Sequence, residues 1–157
     1  MGEVAHLFRC LVHRFPMEEL AEAKAVVNKG FKGCIHGRHD SKRQVSLMDA
    51  ETLEKLGVAP GLVKENITTR GTDFRALGAG QTLRVGHECV LEITSPCHPC
   101  PRMDEIRMGL QEELRGQRGW LCKVIVAGKI RRGDRIEVMA MGEQNAAATA
   151  SPAAAAN

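Results

Sequence analysis

Two cysteines three positions apart are the residues of this sequence best suited to chemistry. Cys97 and Cys100 lie in the segment 94–102, TSPCHPCPR, which also holds three prolines and the basic residues His98 and Arg102. Proline rings restrict backbone rotation, so we expect a stiff loop following a strand. Such a loop presents a thiol in a fixed and exposed position, and neighbouring positive charge favours the thiolate form. We therefore expect a nucleophilic sulfur in this segment.

The spacing of Cys97 and Cys100 is also compatible with three other interpretations. A structural zinc site needs four ligands, and without a second CxxC the others would come from scattered residues such as His36 and His39. A redox dithiol is typical of a CxxC at a helix start near a βαβ unit, a pattern that Pro101 opposes. A rigid turn with two incidental cysteines is the third interpretation.

The composition indicates one globular domain and argues against one class of partner. A chain of 157 residues, 43% of them hydrophobic, is long enough to bury roughly two-thirds of its unfolded surface in a single core. Nucleic-acid binding needs basic surfaces and stacking side chains, whereas the formal charge is only +3 and aromatic residues make up 3%. We expect no nucleic-acid partner.

The first residues and the cysteines predict the cellular location. The start, MGEVAH, lacks the basic and apolar segments of a signal peptide, and the apolar runs are far shorter than a membrane span. We expect a cytoplasmic protein without membrane contact, in which cysteines stay reduced. Cys10, Cys89 and Cys122 lie in apolar stretches and are expected to be buried structural residues.

The elements that must position the two cysteines are short. Strands are predicted at 4–13, 44–48, 87–94, 120–126 and 135–139, and helices at 17–28, 49–57 and 109–114. Asp49 and Gly57 mark the ends of the second helix, and residues 127–134 have turn composition. Without strand–helix alternation, we predict a mainly β fold: a closed or strongly curved β-barrel with a few short peripheral helices. We expect this domain at 1–141 and a disordered Ala-rich tail at 142–157.

Several further segments accompany the two cysteines. In chain order they are GCIH at 33–36, RQVSL at 43–47, ENITT at 65–69, LRVG at 83–86, LEIT at 91–94, RG at 118–119 and GKIRRGD at 128–134. Together with CHPC, this combination resembles the MOSC domain, the sulfur-carrier domain related to the C-terminal part of molybdenum cofactor sulfurase. The resemblance covers residues 4–139.

The resemblance implies a barrel-like domain with one reactive cysteine. In this family that cysteine ligates molybdenum or carries sulfur received from a pyridoxal-phosphate cysteine desulfurase; by position it matches Cys100, with Cys97 as a second thiol. The implied cofactor is molybdenum cofactor, held without a covalent bond. The implied partner is such a desulfurase or a molybdenum-cofactor enzyme. Cys34 stands where the family commonly has Asp.

Four other residues are candidates for a cofactor or anion pocket: His36, Arg43, Asn66 and Arg118. Arginines hold phosphate or pterin groups through paired N–H donors, and loop histidines bind anions, although ordinary solvated positions explain such residues equally well. The main hypothesis is a sulfur-carrier or molybdenum-cofactor-binding domain that uses Cys100. The alternative is a non-catalytic pterin- or anion-binding module with structural cysteines. Turnover, by sulfur transfer or with the cofactor, and oligomeric state stay open.

Overall fold

The computed structural model describes residues 2–139, so the predicted tail at 142–157 lies outside the described residues. The strands are β1 (Gly2–Arg9), β2 (Glu18–Leu20), β3 (Glu22–Val26), β4 (Gly30–Phe31), β5 (Val45–Asp49), β6 (Ile67–Arg70), β7 (Thr82–Val85), β8 (Cys89–Pro96), β9 (Trp120–Val126), β10 (Gly128–Arg131) and β11 (Arg135–Val138). The helices are α1 (Ala50–Leu56), α2 (Met103–Ile106) and α3 (Leu110–Glu113), with a 3-10 turn at Phe74–Ala76. Short strands dominate, as predicted.

Seven of the strands close into a barrel. Their order is β11-β7-β8-β9-β5-β6-β1, and β1 pairs with β11 to complete the ring. The closing pairs are Gly2 with Ile136 and Glu3 with Arg135. Neighbours in the ring run antiparallel except β5 and β6, which are parallel. The predicted closed, mainly β fold is confirmed.

Alternating apolar side chains fill the barrel interior. On β8, Cys89, Leu91 and Ile93 are fully buried. Successive side chains of a strand point to opposite faces, so every second residue of this strand reaches the core. The centre of the barrel is therefore a packed core, and the strand ends and loops are left to form a site.

Residues 17–28 form strands, so the helix predicted there is wrong. On β3, Ala23 and Ala25 are buried while Glu22 and Lys24 are exposed, which is the two-residue alternation of a strand. Ala, Glu and Lys are good helix formers, but intrinsic propensity is a weak determinant when tertiary pairing competes. Here β3 pairs with both β10 and β4 in a second, three-stranded sheet that packs on the barrel core.

One strand was not predicted, and another is shorter than predicted. The segment 127–134, predicted as a turn, contains β10, because Ile130 is fully buried and pairs with Ala23. A single apolar residue among charged ones was too weak a signal for a strand. The strand predicted at 4–13 ends at Arg9, and the loop that follows it contributes to the site described below.

The helix predicted at 49–57 is confirmed as α1. Asp49 caps it by accepting a hydrogen bond from the Thr52 N–H, and Gly57 ends it in the left-handed conformation with φ 67°. The helices pack outside the barrel in a second apolar cluster, against which Cys100 also packs. The cluster consists of Met48, Leu53, Val58, Val63, Met103, Leu110 and Leu114. No helix within residues 2–139 combines the length and apolarity needed to cross a membrane.

Candidate functional site

The turn that carries the two cysteines is fixed at both ends by backbone hydrogen bonds. Cys97 donates its N–H to the carbonyl oxygen of Gly119 at 2.9 Å, beside the start of β9. The carbonyl oxygen of Cys100 accepts a hydrogen bond from the N–H of Met103 at 3.0 Å, where α2 begins. A β-bulge near the end of β8 changes the direction in which that strand ends. The ordered turn expected from the prolines is therefore present.

The two thiols differ in exposure, which corrects the expectation of an exposed thiolate for Cys97. Cys97 is only 8% exposed, whereas Cys100 is half-buried. Burial raises the pKa of the Cys97 thiol, and the positive charges of Arg118 and Arg43 offset part of that rise. Cys97 therefore keeps its proton at neutral pH, and Cys100 is the more accessible sulfur.

The turn opens onto a cavity of about 1150 Å³. All six predicted site residues line it: Cys97, Cys100, His36, Arg43, Asn66 and Arg118. They come from the turn after β8, the loop between β4 and β5, the residue before β6 and the loop before β9. The barrel topology therefore gathers into one place residues that are dispersed along the chain.

Arg118 holds the cysteine turn against a neighbouring loop. Its Nη1 donates to the carbonyl oxygen of His98 at 2.9 Å, and its Nη2 donates to the carbonyl oxygen of Val63 at 3.1 Å. A planar guanidinium can make both bonds at once because its donors are fixed in a fork. Arg118 thus positions the turn as well as lining the cavity.

Asn66 lines the cavity, but its amide is used to join strands. The Oδ1 accepts from the backbone N–H of Ser46 at 3.0 Å and from its Oγ at 3.4 Å. The Nδ2 donates to the carbonyl oxygen of Phe8 at 3.1 Å and to the Sγ of Cys34 at 3.5 Å. These bonds use both hydrogens and both acceptor positions of the amide. In this structure Asn66 links β1, β5 and the loop at Cys34.

The cavity is strongly basic. Its permanently cationic lining residues are Arg14, Arg38, Arg43, Lys64, Arg102 and Arg118. The lining carboxyl groups are those of Glu65, which is buried, and Glu105, which is exposed. Burial raises the pKa of the Glu65 carboxyl, which reduces its negative charge. The summed field therefore favours an anionic guest.

His36 lies among these cations as a neutral imidazole. Burial lowers its pKa most, and positive neighbours, first among them His13 and Lys64, lower it further. A neutral imidazole donates through one ring nitrogen and accepts through the other. His36 is therefore suited to orient a guest by hydrogen bonds, while the arginines supply the charge.

Sequence reasoning missed four basic lining residues: His13, Arg14, Arg38 and Lys64. His13 was assigned to a strand that ends earlier, Arg14 directly follows that predicted strand, and the loop that both residues occupy reaches the cavity. Lys64 joins the loop after β1 to the loop before β6, because its Nζ donates a hydrogen bond to the carbonyl oxygen of Phe15 at 2.8 Å. Its place directly before the ENITT segment was the one available signal.

The three cysteines expected to be structural are buried. Burial raises the pKa of Cys89 to about 12 and also raises the pKa of the Cys122 and Cys10 thiols. Cys34 is buried as well, and its Sγ accepts a hydrogen bond from the Cys10 N–H at 3.4 Å. Cys34 stands at the position where the family that the sequence resembles commonly has Asp. In this structure it is part of the packing beside Asn66.

Within residues 2–139, no three His, Cys, Asp or Glu side chains converge as a set of metal ligands. A metal bound at Cys100 would therefore have at most two protein ligands of these types. A metal bound there would take its other ligands from a cofactor or from solvent.

Comparison with known proteins gives one family and several similar folds. The family model described as the MOSC domain matches residues 32–137. A protein of Gibberella moniliformis named "Reductase" is 28% identical over 83 residues, which are 50% of this chain and 15% of that protein. The chain thus spans only a small part of this relative's length.

The similar solved structures share the fold at low sequence identity. The YUAD protein from Bacillus subtilis has a TM-score of 0.74 and 19% identity, with 88% of this chain and 96% of that chain covered. YiiM from Geobacillus stearothermophilus has a TM-score of 0.71 and 14% identity, with 90% and 77% covered. YiiM from Escherichia coli has a TM-score of 0.64 and 20% identity, with 96% and 76% covered.

Proposed function

Because this chain belongs to the MOSC domain family, we propose that it carries sulfur as a persulfide on Cys100. The observation that supports this most is the half-buried thiol of Cys100 on a fixed turn, lining a cavity with six cationic side chains. A persulfide is an anion in its reactive form, so the same cations that attract a donor also stabilise the product. The proposed setting is the cytoplasm, and the proposed donor is a pyridoxal-phosphate cysteine desulfurase.

The transfer is a thiol–persulfide exchange. The Cys100 thiolate attacks the outer sulfur of a donor persulfide, R–S–SH, and forms a new S–S bond. The donor's own S–S bond breaks, its inner sulfur leaves as the thiolate R–S⁻, and the proton stays on the transferred sulfur. Reactants and products hold the same number of electrons, so no external oxidant is needed. Cys97 keeps its proton and does not compete as nucleophile.

A second candidate is the binding of molybdenum cofactor, and the cavity volume favours it. A volume of about 1150 Å³ exceeds what a single sulfur atom needs and fits an anionic pterin. Arg38, Arg43 and Lys64 would hold the phosphate, and Cys100 would bind the metal. When bound, the cofactor supplies two-electron redox chemistry. The name "Reductase" of the relative is consistent with this candidate.

Mass spectrometry of the intact protein tests the persulfide proposal. After incubation with glutathione persulfide, the wild type and Cys97→Ser should gain the mass of one sulfur atom, and Cys100→Ser should not. Equal loading of both single variants and the wild type would show that the carrier sulfur is elsewhere. If no form loads and all thiols alkylate slowly, the anion-binding module with structural cysteines is the better description.

The cofactor candidate has its own test. Protein purified without reductant is analysed for molybdenum by elemental analysis and for released pterin by fluorescence. Cofactor binding predicts both signals in the wild type, with loss of molybdenum in Cys100→Ser and loss of pterin in Arg43→Glu. Persulfide carriage alone predicts neither signal.

A further inference from the structure

Five large apolar side chains are exposed on loops that line the cavity. They are Leu11, Val12, Phe15, Ile35 and Leu62, and we call them the mouth patch. Phe15 is 62% exposed and Val12 52%, although the chain packs most of its large apolar residues inside. Scattered single exposures are ordinary, but a group on one surface marks an interaction site.

Hydrogen bonds join the three loops that carry the mouth patch. Lys64, two residues after Leu62, donates from Nζ to the carbonyl oxygen of Phe15 at 2.8 Å. The N–H of Ile35 donates to the carbonyl oxygen of Cys10, the residue before Leu11, at 2.9 Å. Ile35 and Leu62 also line the cavity. The loop at 11–17 lines it through His13, Arg14 and Pro16, so all three joined loops that carry the patch border the cavity.

The surroundings of the mouth patch are positively charged. Residues 11–17, LVHRFPM, contain His13 and Arg14 and no carboxylate. Arg38 and Arg43 are exposed on the neighbouring loop that lines the same cavity. An apolar centre with a cationic edge is complementary to an apolar surface ringed by carboxylates.

We propose that the mouth patch is the docking surface for the protein that donates sulfur to Cys100, and that the donor's face is apolar at its centre and acidic at its edge. The inference rests on the proposed persulfide function. A donor must bring its outer sulfur to bonding distance of a half-buried thiol, so it has to dock where the cavity opens. Apolar contact at the centre supplies affinity, and the charges steer the encounter.

Charge argues against the other occupants of this surface. A second copy of the chain would place cations against cations around the mouth patch, because each copy carries the same basic edge. An anionic lipid surface would match the charge, but it carries no sulfane sulfur and would cover the entrance to Cys100. The donor protein is the occupant that satisfies both the charge and the chemistry.

The test compares a protein donor with a small donor on the same chain. The double variant Val12→Ser/Phe15→Ser removes two exposed side chains and keeps the backbone hydrogen bonds of its loop. Met108→Ser is the matched control, because Met108 is 84% exposed and does not line the cavity. Persulfide loading of Cys100 is timed with a purified cysteine desulfurase plus L-cysteine, and separately with glutathione persulfide.

The expected result is a loading rate about tenfold lower in the double variant with the desulfurase, and an unchanged rate with glutathione persulfide. Loading of the wild type by the desulfurase should slow as salt is raised, because salt screens the cationic edge. The control should match the wild type with both donors, and all three forms should share one Tm.

Each other outcome overturns the proposal in a recognisable way. If the double variant loads normally from the desulfurase, or the wild type loads only from glutathione persulfide, the docking surface is wrong and the carrier function stands. Loading of the wild type from neither donor overturns both. A dimer that the double variant dissociates, or Phe15-dependent binding to phosphatidylcholine–phosphatidylserine vesicles, would assign the patch to another occupant.

Discussion

The guanidinium of Arg118 is bonded to the backbone of the cysteine turn, since its Nη1 lies 2.9 Å from the carbonyl oxygen of His98. The same positive charge partly offsets the effect of burial on the pKa of Cys97. One residue therefore sets both the position of the turn and part of the electrostatic environment of the Cys97 thiol. This relationship can be probed by changing the shape of the cation while keeping its charge.

Replacing Arg118 by Lys should loosen the cysteine turn. An ammonium group keeps the charge but cannot make the forked pair of bonds to His98 and Val63, so we expect a loss of about 1 to 3 kcal/mol in unfolding free energy. Denaturant unfolding measures the loss, and alkylation of Cys97 should become faster. Arg115→Lys is the control, because Arg115 is an exposed residue paired with Glu112. Equal stability of the two variants would contradict the positioning role.

The two thiols of the turn should alkylate at very different rates. At neutral pH we expect Cys100 to react with iodoacetamide at least about tenfold faster than Cys97. Cys97 is buried, which raises the pKa of its thiol, whereas Cys100 is half-buried. A raised thiol pKa means less thiolate at a given pH, so the rate at Cys97 should climb as the solution becomes more alkaline. Site-resolved mass spectrometry, with each Cys→Ser variant as the control for the other, measures both rates. Faster labelling of Cys97 would reverse the assignment.

Gly119→Ala should be strongly destabilising. Gly119 has φ +90°, and a Cβ there would lie 1.9 Å from the carbonyl oxygen of Leu47. We expect a loss of about 3 kcal/mol or more, measured by denaturant unfolding. Gly116→Ala is the matched control, since Gly116 has φ +76° but open space around its Cβ position, and it should lose about 1 to 2 kcal/mol. Similar losses would show that backbone strain alone acts at Gly119.

Glu65→Gln should change how stability depends on pH. The Oε2 of Glu65 accepts from the Gly61 N–H at 3.0 Å and from the Thr68 hydroxyl at 2.7 Å, while its Oε1 has no partner within the described residues. Burial raises the pKa of this carboxyl above its ordinary value, and the two hydrogen bonds only partly oppose the rise. The native state therefore keeps a proton that the unfolded chain has already lost.

The sign of the effect follows from that proton. Wild-type stability is highest below the ordinary carboxyl pKa and falls as pH rises towards the native one, whereas glutamine does not ionise. The Tm advantage of Glu65→Gln over the wild type should thus grow from about pH 5 to about pH 8 in thermal unfolding. Glu105→Gln is the control for removing one exposed carboxylate. A Tm difference that stays constant over this range would contradict the assignment.

The sequence predicted the barrel better than it predicted its smaller sheet. Cys89, Leu91 and Ile93 alternate in an otherwise clear strand, and Asp49 and Gly57 bound α1 with side-chain chemistry that is local. The segment 17–28 was assigned as a helix because its residues are good helix formers. Its pairing with β10, a strand distant along the chain, decides the conformation, and local composition carries little information about such a partner.

The residues of the candidate site could be predicted from the sequence, but their burial and hydrogen bonding could not. Charged side chains such as Arg43 and Arg118 can be recognised by type, and both line the cavity. Burial of Cys97 and saturation of the Asn66 amide depend on which loops meet there, and residue spacing does not reveal that. The basic loop at Arg14 was missed for the same reason.

The ring of seven strands closes through β1 and β11, the first and last strands that the structure describes. During synthesis on a ribosome, β1 emerges long before its partner, so the ring stays open until residues 135–138 have left the exit tunnel. Pairing of sequence-distant strands is slow to form. We expect newly made chains to rely on chaperones during that interval, and shortening the chain before Arg135 to yield an aggregating product instead of a smaller barrel.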